Sequence, residues 1–293
     1  MSADGTATLE GLVRLRPTET IPRPLATWDE ALITTHEIIG SKYHRMVLRA
    51  PSIAARARAG QFVMITVPNA SDRLPLPRPM AIHRRHPESG EIEIIFNIVG
   101  RGTELLAQSG AGESLLLTGP LGRGFEIPDE STRVLLMGRG IGVCAVMGVA
   151  EDARKDDIEV TALLSSSSFD AIIGRSDCDE LGAVALGVAD EDGSSALEAV
   201  EATIRASFSE APPSAIMVCG SNRLARLAVK LGREWNAPVQ VSLEAHMACG
   251  LGYCHGCAAP IPTSADREGP LVCVDGPVFD LGTIPLDAPA MSH

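Results

Sequence analysis

Four cysteines close to the end of the chain, Cys249, Cys254, Cys257 and Cys273, constrain this sequence more than any other feature, because their spacing is C-x4-C-x2-C-x15-C. The stretch that carries them, from about His246, is rich in Cys, Gly and Pro and poor in periodic apolar residues, so it must be held by what its thiols bind. Three further cysteines, Cys144, Cys178 and Cys219, stand alone. An odd total of seven with this clustering fits a metal site in a reduced compartment better than a disulfide framework.

A C-x4-C-x2-C run with a distant fourth cysteine is the ligand pattern of a [2Fe-2S] cluster, four thiolates converging on two irons. Gly250, Gly252 and Gly256 lie within the run, where residues without a Cβ let backbone N–H groups turn toward the cluster sulfides. Tetrahedral zinc held by four cysteines is the alternative, although zinc ribbons present two C-x2-C pairs and this sequence has one. His255, inside the run, reads as a solvated loop residue and not as a ligand.

Upstream there is ample material for packed cores, 45% hydrophobic residues against 21% charged over 293 residues. From about Ala31, short β-like runs follow one another between turn signals: ALITTHEII, HRMVLRAP, AGQFVMITVP, RPMAIHRR, EIEIIFNIV and ESLLLTGP. They predict a small antiparallel β-barrel. After Pro128 the strands RVLLMG, IEVTALLSSS, AVALGVAD and AIMVCG alternate with helical stretches such as LEAVEATIRASF and LARLAVKLGREW, which predicts a doubly wound parallel sheet. The expected fold class is therefore β plus α/β, divided into an N-terminal extension (1–28), a barrel domain (29–128), an α/β domain (129–240) and a small cysteine lobe (241–293). A formal charge of -12 argues against nucleic acid as a partner. No apolar run of about 18 residues is free of charges, and the first residues lack a basic region followed by an apolar one, so the expected location is the cytoplasm, without membrane insertion.

Several weaker motifs sit on these elements. Arg78, at the start of a barrel strand, and Gly102 with Thr103, at the end of another, have the chemistry to contact a diphosphate, though a surface arginine and a plain turn look the same. Gly138, Gly140 and Gly142 form a G-x-G-x-G turn between a strand and an apolar helix, which suits a pyrophosphate but lacks the full G-x-G-x-x-G pattern. Cys219 and Gly220 end a strand at the carboxyl edge of the same sheet, where open α/β sheets bind ligands; packing is the plainer reading for a buried cysteine.

The order barrel, dinucleotide fold, cysteine lobe resembles the ferredoxin-NADP reductase superfamily, and within it the electron-transfer subunits of dihydroorotate dehydrogenase type B. The most specific likeness is SLEAHMACGLGYCHGC followed by LVCVDGPVF, within a resemblance covering about residues 31 to 286. The resemblance implies FAD contacts at Arg78, Pro79, Met80, Ala81, Ile95, Phe96, Asn97, Gly102 and Thr103, and NAD(H)-side segments at Gly138, Gly140, Gly142, Asp190 to Ser194, Cys219 and Gly220. It also implies an activity: hydride from NADH to FAD, single electrons to the cluster, and delivery to the flavin of a catalytic partner subunit. Three positions depart from the family pattern: Ala81 for a Ser or Thr, Arg139 for a turn glycine, and Ser221 for the proline after Cys-Gly. Other expectations compatible with the sequence are a zinc-stapled assembly or regulatory module, and a reductase serving a glutamate-synthase-like or dihydropyrimidine-oxidising enzyme.

Overall fold

The computed structural model describes residues 25–67, 76–259 and 269–281, together with the backbone of Leu15–Pro17. The remainder of the expected 1–28 extension and of the 241–293 segment lies outside the described residues. A short strand, β1 (Leu15–Pro17), precedes the barrel strands β2 (Thr27–Ile39), β3 (Tyr43–Arg49), β4 (Phe62–Thr66), β5 (Arg78–Ala81), β6 (Arg84–His86), β7 (Glu91–Asn97) and β8 (Ser114–Leu121), with helices α1 (Pro51–Ala54) and α2 (Arg101–Leu106) between them.

These seven strands pair antiparallel in the order β5-β4-β8-β2-β3-β7-β6. The run RPMAIHRR, which reads as one strand, is two: β5 and β6 are separated only by Ile82 and His83, yet sit at opposite ends of the sheet order. A sheet whose two edges are joined by two residues must curl on itself. Ile82 N–H donates to Gln61 O and His83 N–H to Glu93 O, which stitch the two edges together. Alternation then fills the interior, with Ile33, Met46, Leu48, Val63, Ile65, Ile92, Ile94, Leu115 and Leu117 all buried in one cluster.

The second half is built from β9 (Arg133–Arg139), α3 (Val143–Lys155), β10 (Glu159–Ser166), α4 (Arg175–Leu181), β11 (Val184–Ala189), α5 (Leu197–Ser207), β12 (Ala215–Cys219), α6 (Asn222–Trp235), β13 (Val239–Ser242) and β14 (Val278–Leu281). Its sheet runs β1-β14-β13-β12-β9-β10-β11; β13 through β11 are parallel, and β14 and β1 add antiparallel strands at one edge. Chain reversal at β9 and β12 places a crevice at the carboxyl ends of these strands. The cysteine segment leaves this sheet after Ser242 and returns at Val278, and those two residues are ladder partners. It is an excursion between neighbouring strands, and its buried residues Cys257, Ala259, Val272 and Cys273 pack in the same apolar cluster as the sheet.

Barrel and α/β sheet are fastened by a buried ionic network. Arg84 on β6 donates to Glu151 on α3 (2.6 Å) and to Asp177 on α4 (3.1 Å), Arg85 donates to Glu151 (2.9 Å), and Arg45 on β3 joins Glu93 (2.7 Å) to Asp177 (3.1 Å). Gly148 lets α3 approach Ala59 of the barrel closely, and its carbonyl accepts from Arg85 (2.7 Å). His83, Glu93 and Asp177 come within 4.8 Å of one another, a spacing that would suit a cation, but two guanidiniums already neutralise the carboxylates. His83 Nε2 faces the Asp177 carboxylate at 3.3 Å. Among the described residues no helix is long and apolar enough to cross a membrane.

Burial opposes ionisation of Asp177, but the His83 ring and the Arg45 and Arg84 guanidiniums hold its carboxyl well below the usual range. Burial opposes that of Glu93 too, and His86 and Arg45 outweigh it; the bond to Glu93 raises His86 in turn. The depressed carboxylates contribute fully above the unfolded value near pH 4 and lose that contribution as pH falls through their folded values. His86 contributes fully below about pH 6.5 and loses its contribution as pH rises through its folded value. The network therefore adds most stability between about pH 4 and 6.5. Asp177→Asn is expected to cost about 3–5 kcal/mol in urea denaturation at pH 6 and to flatten the acid limb of the stability profile. An unchanged acid limb would remove Asp177 from this role.

Candidate cluster and cofactor sites

The loop from Cys249 to Cys257 is turned by positive φ at Gly250 (+69°), Gly252 (+82°) and His255 (+59°). Gly256 is not in that region, and a Cβ there would make only ordinary contact with Cys254 Sγ at 3.7 Å, so two of the three expected glycines carry the turn. His255 is exposed. The N–H groups of Leu251 and Cys254 donate to Cys249 Sγ (3.4 and 3.5 Å), and the N–H of Cys273 donates to Cys257 Sγ (3.5 Å).

The sulfurs fall into two contacting pairs, Cys249 with Cys254 and Cys257 with Cys273. Among the described residues no three of them lie within 4.8 Å of one another. Tetrahedral zinc, with Zn–S near 2.3 Å, requires all four sulfurs about 3.8 Å apart. Two neighbouring pairs suit two irons, one pair to each, and N–H donors aimed at the sulfurs suit a cluster whose charge they stabilise. The pairs are also unlike in position: Cys257 and Cys273 are 3% and 1% exposed, whereas Cys249 is half-buried and Cys254 exposed.

At the barrel, the guanidinium of Arg78 lies directly over Gly102, where any Cβ would displace it. The two expected diphosphate residues therefore meet. Thr103 differs from expectation: its hydroxyl accepts from the N–H groups of Val99 (2.9 Å) and Gly100 (3.2 Å) and donates to Gly100 O (3.0 Å), so it shapes the turn and is not spare for an anion. Phe96 turns its ring into the barrel core and stacks on His44 (5.2 Å between centroids), as does Met80 into the same core; Ile95 and Asn97 occupy the other side of β7.

In the α/β half, the turn Gly140–Gly142 opens α3, and a Cβ on Gly142 would lie 2.6 Å from Gly220 Cα. The G-x-G-x-G turn and Cys219-Gly220 are thus pressed together at the carboxyl ends of β9 and β12. Beside them, Cys219 to Asn222 and Val241 to Glu244 line a cavity of about 110 Å³. A larger cleft bounded by Phe125, Arg233 and Gln240 lies at the amino ends of the strands, away from this edge. Arg139 runs along the edge, donating to Ser165 (2.9 Å) and to both oxygens of Asp190 (3.2 and 2.7 Å). Bonds from Arg139 and Ser195 hold the Asp190 carboxyl down at about 2. Ser221 Oγ accepts from Leu224 N–H as the N-cap of α6, a use that proline lacks. The two halves share one apolar cluster: Ala81, Ile95 and Tyr43 from the barrel with Ile141, Val143, Cys144 and Cys219 from the sheet.

A family model for the iron-sulfur cluster binding domain of dihydroorotate dehydrogenase B matches residues 244–284. The dihydroorotate dehydrogenase B (NAD(+)) electron transfer subunit of Streptococcus mutans is 33% identical over 257 residues, spanning 87% of this chain and 97% of that protein. The chain belongs to the family of dihydroorotate dehydrogenase B electron transfer subunits. The like-named subunit of Geobacillus kaustophilus is 31% identical over 257 residues, 87% of this chain and 97% of that one. Among solved structures, one of the NADH-dependent reduced ferredoxin-NADP oxidoreductase superposes with TM-score 0.72 at 24% identity, covering 88% of this chain and 91% of that one. The ferredoxin reductase of carbazole 1,9a-dioxygenase gives 0.61 at 21% identity, over 75% of this chain and 70% of that one. At such identities these likenesses establish the ferredoxin reductase-like fold.

For a dihydroorotate dehydrogenase B electron transfer subunit, sequence reading missed Tyr43, whose hydroxyl comes within 3.6 Å of the Gly140 Cβ position, and Met64 and Leu121, on which the cysteine loop rests. Of the three, only Met64 lies in one of the β-like runs the sequence shows, AGQFVMITVP, where it reads as a strand residue and nothing more; Tyr43 and Leu121 fall just outside HRMVLRAP and ESLLLTGP. The thiols themselves differ in acidity. Burial works against the Cys249 thiolate, but N–H groups of Leu251, Cys254 and Tyr253 outweigh it and bring the thiol down to about 6. Burial and the neighbouring Cys257 push Cys273 up to about 12. In cluster-free protein, iodoacetamide is expected to label Cys249 with half-maximal rate near pH 6 while Cys273 stays unlabelled at pH 8, read by peptide mass spectrometry. Equal labelling of the two would contradict this ordering.

Proposed function

We propose that this chain takes electrons from NADH at the junction of barrel and α/β sheet and delivers them singly, through the four-cysteine site, to the catalytic subunit of a dihydroorotate dehydrogenase. The observation that carries this reading is the pairing of the thiols, one pair buried against the chain's own core and one facing out, on a loop that rests on Met64 of β4, the ladder neighbour of the strand that starts at Arg78. Bound to these residues, FAD would accept a hydride and a [2Fe-2S] cluster would accept one electron at a time.

The chain's own residues supply positions and charge. Arg78 over Gly102 offers a guanidinium to the flavin diphosphate, Pro79 and Ala81 present the open face of β5, and Ile95 and Asn97 the neighbouring face of β7. Gly138, Gly140 and Gly142 present backbone N–H groups to the NADH pyrophosphate at the head of α3, and Cys219 with Gly220 bounds the nicotinamide side. Asp190, held by Arg139 across the carboxyl edge of the sheet, gives this nucleotide side a paired charge. Cys249, Cys254, Cys257 and Cys273 ligate the cluster, and the outward edge, with Leu251 and the 90% exposed Tyr253 beside Cys254, is the exit toward the partner. The corresponding division is 1–28 as extension, 29–128 for FAD, 129–240 for NAD(H) and 241–293 for the cluster, in a cytoplasmic protein.

Two variants test separate parts. Cys254→Ser is expected to lose the visible charge-transfer bands and most iron and sulfide while keeping FAD and its bleaching by NADH; full iron content in that variant would falsify the ligand set. Gly102→Ala, by displacing Arg78, is expected to weaken FAD retention about ten- to a hundredfold, the value of one charge-assisted hydrogen bond, measured by flavin fluorescence on dilution. Unaltered retention would free Arg78 and Gly102 from this assignment. Zinc without acid-labile sulfide in the purified protein would overturn the proposal as a whole.

A further inference from the structure

Strand β4 has two faces with different neighbours. Val63 and Ile65 point into the barrel core, while Phe62 and Met64 point outward and belong to the apolar cluster that contains Cys257 and Cys273. In the β4–β5 ladder Met64 is directly opposite Pro79, and Phe62 is opposite Ala81. Ladder partners carry their side chains on the same face, about 4.5–5.5 Å apart at Cβ. Met64 therefore borders the face of β5 assigned above to the flavin.

The same side chain is the seat of the cysteine loop. Gly250, next in sequence to Cys249, packs so tightly on it that a Cβ there would lie 2.6 Å from Met64 Cγ and 3.0 Å from Sδ, with Leu121 Cδ1 at 3.1 Å. Met64 is 1% exposed, so protein atoms cover it and exclude water from its contact with the cysteine loop. A thioether is polarizable and fills irregular gaps, which suits a joint between a pleated strand and an irregular loop. Electron tunnelling weakens exponentially with distance and is worst across voids, so continuous packing between donor and acceptor governs its rate.

We propose that Met64 is the positioning residue that sets the electron route from flavin to cluster, resting the cysteine loop on the strand beside the flavin strand. The inference rests on the functional reading above. The step moves one electron from reduced flavin to the oxidised cluster; no bond to Met64 forms or breaks. The second electron of the hydride follows in a second pass, and the proton left behind goes to solvent.

The test uses the complete protein with its cofactors, as wild type, Met64→Ala and Met64→Leu. Stopped-flow absorbance separates flavin bleaching by NADH from cluster reduction, and iron, acid-labile sulfide and the EPR spectrum of dithionite-reduced protein report the cluster independently of turnover. Met64→Ala is expected to retain iron, sulfide and the rate of flavin bleaching, and to slow cluster reduction more than about tenfold, the scale on which small misplacements act on rates. Met64→Leu, which refills most of the volume, is expected to recover most of that rate. An unchanged cluster-reduction rate in a fully loaded Met64→Ala protein would overturn the inference. So would loss of iron together with an unchanged rate per remaining cluster, the signature of packing alone. Wild-type protein whose flavin is not bleached by NADH would overturn the functional reading, and this inference with it.

Discussion

The geometry of the whole chain depends on how Arg45, Arg84 and Arg85 of the barrel meet Glu151 and Asp177 of the α/β half. Buried ion pairs add little net stability over an apolar contact of similar volume, because desolvation offsets most of the attraction. Their effect here is on orientation. Five charged groups buried between two sheets can all be satisfied in one relative placement, and any slippage leaves a charge unpaired. That placement sets Ala81, Ile95 and Tyr43 against Ile141, Val143 and Cys219, and so brings the flavin-side strands to the nucleotide-side turn.

A second dependence runs from the barrel to the cysteines. Phe62, Met64 and Leu121 share a core with Leu243, Cys257, Val272, Cys273 and Phe279, so the thiol site is continuous with the body of the protein. The site is also one-sided, since the inner thiols are enclosed by that core and the outer pair meets solvent. An electron carrier needs this combination, an insulated contact with its donor and an open contact with its acceptor.

Much of this was legible in the residues because the relevant signals are local. Cysteine spacing, the glycine turn after a buried strand, and β-branched alternation are each set by a few neighbouring residues, and they pointed to the cysteine loop, the head of α3 and nearly every barrel strand. What escaped was set by distant partners. Nothing within RPMAIHRR says that its two halves join opposite edges of one sheet, since that follows only from closure. Thr103 looks like an anion ligand until the turn it closes is known, and Phe96 looks available until His44 is found beneath it. Arg139, a departure at a usual glycine, makes sense only once Asp190 is brought to it by the register of β9, β10 and β11. The strand β14 was hidden by its position beyond the cysteines, where a small lobe was the natural expectation.

Ser242 and Val278 face each other in the ladder between β13 and β14, so the two ends of the cysteine segment are joined by the sheet itself. Drawing the ends of a long loop together is an entropic cost that a metal commonly bears in small metal-dependent folds, which unravel without it. In this chain the sheet bears it, and a cluster would have only the interior of a closed pouch to organise. The mouth of that pouch, at Cys249 and Cys254, is the part the closing strands leave open to solvent.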